Sequence, residues 1–77
     1  MDTKLTTLKR SASARIARLT QAQALEVLRR VRERGPVVDQ PAIRELTGGH
    51  ASQGINAWVL RRVSYRAGLI SREAAYD

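Results

Sequence analysis

A chain of 77 residues with no cysteine and a single histidine, His50, excludes several classes of protein. It has neither a disulfide framework nor a thiolate zinc site, and one imidazole cannot build a metal centre or a histidine-paired nucleophile. Fourteen Lys and Arg residues against seven Asp and Glu give a net charge of +7, which favours a polyanionic or acidic partner.

The remaining composition argues against an enzyme and against a membrane span. Seven scattered carboxylates and one histidine offer no nucleophile beside a base, and Gly48-Gly49, the only glycine pair, indicates a turn. No apolar run approaches the ~18 residues that a membrane helix needs. We therefore expect a soluble, cytoplasmic protein without catalytic residues, cofactor, metal or small-molecule substrate.

Residues 1–19 form a basic segment, because they carry five cations and a single carboxylate, Asp2. The cations are Lys4, Lys9, Arg10, Arg15 and Arg18. Apolar residues recur every three or four positions, which fits one stripe of a helix, although two serines weaken the pattern. Two interpretations remain open: a helix docked on the rest of the domain, or a disordered arm that folds on a partner. The Arg-rich, acid-poor composition is also typical of an organelle transit peptide.

The clearest predicted helix begins after Thr20 and ends at Gly35. Thr20 and Gln23 fit a capping box, and Gly35-Pro36 is a typical C-terminal stop. At about 100° per residue the apolar residues of this helix share one side, so we expect the helix to build the core. These residues are Ala24, Leu25, Val27, Leu28 and Val31.

Two short apolar stretches predict a minimal strand pair. Pro36-Val37-Val38 is too short and too β-branched for a helix and is typical of an edge strand. Leu69-Ile70, near the end of the chain, is the stretch that we expect to pair with it.

The second half of the chain predicts a short helix, a tight turn and a longer basic helix. Asp39 can cap the short helix, and Gly48-Gly49 ends it because glycine adopts a positive φ at little steric cost. Ser52 is a good N-cap for the longer helix, which we expect over residues 52–67 with Gly68 directly after it.

The two sides of this longer helix differ in character. Its inward arc is apolar, and with the earlier helices it predicts a core of Leu25, Leu28, Val31, Ile43, Leu46, Ile55, Val59 and Val63. Asn56 falls in the same arc, which favours a structural role. The other side holds Gly54, Ala57, Trp58, Arg61 and Tyr65, with Arg62 and Arg66 along one border. Trp58 fits three roles: packing against the first twenty residues, anchoring a protein partner, or stacking on bases.

Residues 42–48, followed by Ile55-Asn56-Ala57 and residues 60–70, resemble a helix-turn-helix. The ending Arg66-Ala67-Gly68-Leu69-Ile70 makes the chain similar to small winged-helix domains of phage or mobile-element regulators. The resemblance covers about half of the chain. It implies a mainly α, three-helix domain over residues 20–77, with residues 1–19 as a basic N-terminal arm. Only seven residues follow Ile70, so the strand pair would be a vestigial wing.

Two functions fit the resemblance and the charge, and both concern the regulation of transcription. In the first, the helix of residues 52–67 and the arm bind double-stranded DNA, with Arg61 best suited to a guanine edge. In the second, a phage-encoded protein binds host RNA polymerase and inhibits initiation or prevents termination. Both depend on the same candidate residues: Lys4, Lys9, Arg10, Arg15, Arg18, Trp58, Arg61, Arg62, Tyr65 and Arg66.

Overall fold

The computed structural model describes residues 3–76, which form five α-helices. They are α1 (Thr3–Ala17), α2 (Gln21–Arg34), α3 (Pro41–Thr47), α4 (Gln53–Arg66) and α5 (Arg72–Tyr76). Met1, Asp2 and Asp77, which belong to the predicted arm and domain, lie outside the described residues. The helices α2, α3 and α4 pack together, α1 lies against α3 and α4, and α5 returns onto α4. The main class is therefore α, as predicted, but the described part of residues 20–77 forms four helices and not three.

The predicted strand pair is wrong, because residues 3–76 contain no strand. The carbonyl of Val38 accepts a hydrogen bond from Asn56 Nδ2 at 2.8 Å, and the side-chain amide of Gln40 donates to the carbonyl of Val37 at 3.2 Å. The backbone N–H of Leu69 donates to the carbonyl of Ser64 at 2.9 Å, within the turn that ends α4. These bonds occupy groups that a strand ladder would need, so there is no vestigial wing in this part of the chain.

The predicted boundaries of α2 are confirmed by its caps. Thr20 Oγ1 accepts from the N–H of Gln23 at 3.1 Å, while Gln23 Oε1 accepts from the N–H of Thr20 at 2.8 Å. This reciprocal pair is the capping box. Gly35 ends the helix with a φ of 82°.

The predicted cap of α3 is wrong, whereas the turn after it is confirmed. Gln40, and not Asp39, occupies the N-cap position, and it makes no side-chain cap bond. The Asp39 carboxylate pairs instead with the Arg44 guanidinium at 2.6 Å. Gly48 ends α3 in the left-handed region, with a φ of 73°. Ser52 Oγ then accepts from the N–H of Ile55 at 3.3 Å and caps α4 as predicted.

Of the two interpretations of residues 1–19, the structure agrees with the first, a helix docked on the rest of the domain. Ala12 and Ile16 are buried against the other helices. Arg15 Nη1 donates to the carbonyl of Leu46 at 3.2 Å, which ties α1 to the end of α3. This helix is thus part of the packed domain, although all of the cations of the segment except Lys9 remain exposed.

The core lies where α1, α2, α3 and α4 meet, with α4 at its centre. Ile43, Val59 and Val63 are fully buried, and Leu46 and Ile55 nearly so, as predicted. Leu28 and Val31 are only half-buried at its border. The prediction for Leu25 is wrong, because this side chain is 43% exposed. It lies about 100° around α2 from the fully buried Ala24, beyond the narrow arc that contacts α3 and α4. Small buried residues complete the packing: Ala12, Ala24, Ala42, Ala67 and Ala75.

Candidate nucleic-acid interface

Charge is divided unevenly between the helices. Neither α1 nor α4 contains an acidic residue, whereas α2, α3 and the loop between them mix both signs. Every ion pair within residues 3–76 lies in that mixed region: Arg29 with Glu26 and Glu33, Arg30 with Glu26 and Glu45, and Arg44 with Asp39. The hydrogen bond from Arg29 lowers the pKa of the Glu26 carboxyl. The arginines of α2 and α3 are therefore largely neutralised by their neighbours.

Six of the predicted site cations are exposed: Arg15 and Arg66, which donate to backbone carbonyls, and Lys4, Arg10, Arg18 and Arg61. Lys4, Arg10, Arg18 and Arg61 make no ion pair with any described residue. An exposed cation without an internal carboxylate is available to an external anion, and several of them together raise the local concentration of polyanions. The net positive charge is thus concentrated along α1 and α4.

One exposed side of α4 carries a strip of Gln53, Ala57 and Arg61, which we call the α4 strip. Its members recur every four residues, so they follow each other along one side of the helix over about 12 Å. All three are exposed. Gly54 lies beside them, and no atom approaches within 4 Å of the position that a Cβ would take there. The α4 strip thus presents a polar glutamine, a small alanine and an arginine to the outside.

A groove of about 490 Å³ separates the first half of α1 from the start of α4. Its floor is apolar, with Leu5, Leu8 and Ile55, and Lys4 and Lys9 line it from α1. Because the groove also includes Gly54, these lysines lie beside the N-terminal end of the α4 strip.

Trp58 belongs to an internal stack, and most of that stack consists of predicted site residues. The ring is half-buried, with Lys9 Nζ 5.6 Å and Arg62 Cζ 4.4 Å from its centroid. The same guanidinium also contacts Tyr76, because Arg62 Cζ lies 3.9 Å from the ring centroid of Tyr76. Tyr65 meets Tyr76 edge to face, with centroids 5.9 Å apart and an angle of 86° between the rings. The structure therefore brings Lys9, Trp58, Arg62 and Tyr65 together.

Tyr76 is the member of this stack that the sequence analysis missed. The only signal for it was an aromatic residue near the end of a stretch too short to predict any element. Its position depends on the turn at Gly68, where φ is 81°, because this turn sends α5 back along α4.

Two predicted site residues, Arg15 and Arg66, and Asn56, which was predicted to be structural, mainly hold the fold together. Arg66 Nε donates to the carbonyl of Leu19 at 2.7 Å, and Arg15 binds the carbonyl of Leu46. Asn56 is buried and binds the carbonyl of Val38, so it does not face outward with the α4 strip. Each of these bonds joins two elements: those of Arg66 and Asn56 hold α4, and that of Arg15 holds α1 against the end of α3.

The described residues offer no group of three or more His, Cys, Asp or Glu side chains that could hold a metal ion. None of the five helices is long and apolar enough to cross a membrane. Comparison with known proteins found no matching family model, no matching curated protein and no matching solved structure.

Proposed function

We propose that the protein binds double-stranded DNA, with α4 in the major groove and α1 beside it along the phosphates, and acts in the cytoplasm as a small transcription regulator. The observation that carries this proposal is the α4 strip, exposed on a helix without carboxylates and bordered by the cations of α1. A helix that exposes such a strip can lie in a major groove, which is about 12 Å wide and admits one α-helix.

Each part of the strip has a role in this arrangement. Ala57 and Gly54 have little or no side chain, so the backbone of α4 can approach the base edges closely. Arg61 has five N–H donors in a rigid fork, which matches the O6 and N7 acceptors of guanine. Gln53 can pair in the same bidentate way with adenine.

The cations of α1 supply the part of the binding that does not depend on sequence. Lys4, Arg10 and Arg18 are exposed and make no ion pair with the residues described. Each contact with a phosphate releases counterions, which makes the affinity fall as salt rises.

One observation favours the alternative, an adaptor that binds host RNA polymerase. The groove between α1 and α4 has an apolar floor of Leu5, Leu8 and Ile55, which phosphates do not require and a protein segment would use. Trp58 is a weaker anchor for such a partner than its sequence position suggested, because its faces are already covered by Lys9 and Arg62.

The deciding experiment compares Arg61→Ala with Arg32→Ala. Arg32 is also an exposed arginine without an ion pair among the described residues, but it lies on α2, away from the proposed interface. We expect Arg61→Ala to lose about 1–3 kcal/mol of discrimination between a selected duplex and a random one. Arg32→Ala should match the parent chain.

Binding is measured by fluorescence anisotropy on a duplex selected from a random library, on random duplex and on purified host RNA polymerase. Two results together would overturn the DNA proposal and support the adaptor. In the first, the parent chain binds the selected and random duplexes equally. In the second, the parent chain binds polymerase tightly and Leu5→Asp does not. Circular dichroism of each variant confirms that it is folded.

A further inference from the structure

We propose that Arg62 and Arg66 form a binding site for one phosphate group in the hollow between α1, α4 and α5. The site lies apart from the α4 strip and does not depend on the proposed duplex binding. Its ligand is a phosphate monoester or diester, whether free, at the end of a nucleic acid or within its backbone.

The hollow has the size of a polyatomic ion. Its volume is about 120 Å³, and Ser13 of α1, Arg62 and Arg66 of α4, and Tyr76 of α5 contribute to its wall. A single water needs only about 10–15 Å³ of such space. Pockets for drug-sized molecules measure about 300–1,000 Å³, so the hollow is too small for a base or a cofactor.

Arg62 carries a charge that nothing in residues 3–76 neutralises with a carboxylate. Its guanidinium lies between the rings of Trp58 and Tyr76, and its Nε is buried without a hydrogen-bond partner. The ring faces attract the cation, but a buried N–H without an acceptor remains unfavourable. An anion at the other nitrogens of the guanidinium would neutralise the charge without disturbing the stack.

The stack also holds this guanidinium ready for a ligand. A long side chain in water loses rotamer freedom when it binds, and that loss opposes binding. Because Arg62 is already held between two rings, much of this entropy is lost on folding. A planar fork in a fixed orientation matches two oxygens of one phosphate.

Arg66 supplies the second positive charge. It lies four residues after Arg62, on the same side of α4, and both line the hollow. Its Nε is fixed by the carbonyl of Leu19 at 2.7 Å, which leaves the two terminal nitrogens for another acceptor. Ser13 and Tyr65 add hydroxyl groups, and none of the described residues that line the hollow carries a carboxylate. Two guanidinium groups match the double negative charge of a phosphate monoester better than the single charge of a carboxylate.

The first test is a titration with inorganic phosphate at constant ionic strength, balanced with chloride. The N–H resonances at Nε of Arg62 and Arg66 and the fluorescence of Trp58 report on the site, because the Arg62 guanidinium lies 4.4 Å from the indole ring. We expect both signals to change in a saturable way with phosphate. Changes no larger than those produced by chloride alone would overturn the proposal.

Substitutions then locate the site. Arg66→Gln removes one charge, and Arg62→Lys keeps the charge but loses the fork. Each should raise the half-saturating phosphate concentration about tenfold or more, the size of one charge-assisted hydrogen bond. The control Arg32→Gln removes one positive charge from α2 and should leave the half-saturating phosphate concentration unchanged. If Arg62→Lys does not fold, Arg66→Gln alone decides, and an equal effect of Arg66→Gln and Arg32→Gln would refute a specific site.

Two short duplexes that differ only in a 5′-phosphate identify the source of the group. Tighter binding of the phosphorylated duplex, lost in Arg66→Gln, assigns the site to a terminal phosphate. Equal binding of the two duplexes, weakened to the same degree by Arg66→Gln, assigns it to a backbone phosphate. If Arg66→Gln weakens neither the duplexes nor inorganic phosphate, the proposal is wrong.

Discussion

Leu46 and Leu25 allow the inward faces of the helices to be tested with a matched pair of substitutions. Leu46 in α3 is 7% exposed, whereas Leu25 in α2 is 43% exposed. Leu46→Ala removes most of a buried side chain but keeps the backbone carbonyl that Arg15 binds. The expected loss in the free energy of unfolding is about 2–5 kcal/mol, because a cavity remains where the side chain was.

This loss is large for so small a domain. At about 0.05–0.15 kcal/mol per residue, a chain of this length has a free energy of unfolding of about 4–12 kcal/mol. Leu25→Ala should cost less than about 1 kcal/mol, since Leu25 is already 43% exposed to water in the folded chain. Urea denaturation followed by far-ultraviolet circular dichroism measures both values. Equal losses, or a loss below about 1 kcal/mol for Leu46→Ala, would show that the inward faces are assigned wrongly.

Two further predictions concern the turn and the cations. Gly48→Ala should destabilise the fold by about 1–2 kcal/mol in the same denaturation assay, because φ is 73° there. Gly54→Ala, in open space on α4, should stabilise the fold by up to about 1 kcal/mol. The reverse order of stabilities would contradict the left-handed turn. Replacing Lys4, Arg10 and Arg18 together by Gln should reduce the slope of log affinity for duplex DNA against log salt by about 0.9 for each lost phosphate contact. An unchanged slope, equal to that of Arg32→Gln, would show that α1 does not contact phosphates.

The elements that depend on neighbouring residues could be predicted from the sequence. The capping box at Thr20, the N-cap at Ser52 and the end of α3 at Gly48 each involve groups within a few positions of one another. Such signals do not depend on the rest of the fold, so a sequence pattern is sufficient to place them.

Two of the errors share a cause, which is competition from another side chain for the same polar group. Pro36-Val37-Val38 has the composition of a strand, but Asn56 reaches the Val38 carbonyl from eighteen residues away and helps to hold the segment as a loop. Asp39 has the right chemistry for a cap, but Arg44 takes its carboxylate. Propensity is a weak guide wherever a tertiary contact offers a polar group a better partner.

The candidate site was predicted in composition but not in arrangement. The α4 strip follows from helical periodicity alone, since Ala57 and Arg61 were already placed on the outward side. The contact between Arg62 and Tyr76 could not be predicted, because it requires the direction of the chain after Gly68 and the return of α5 onto α4. A sequence pattern contains the period of a helix but not the direction of the next one.

The two proposed sites lie on different sides of one helix, and this determines how far they can influence each other. At 100° per residue the α4 strip covers an arc from Gln53 to Arg61 of about 80°, and Arg62 lies about 100° beyond Arg61. A duplex seated on the strip therefore need not enter the hollow, and a phosphate in the hollow need not touch the strip. Arg61 and Arg62 are adjacent on one helix, and the buried Val59 and Val63 fix the other side of that helix. A shift of this helix is the remaining way for one site to affect the other. Loss of one activity is thus not evidence against the other.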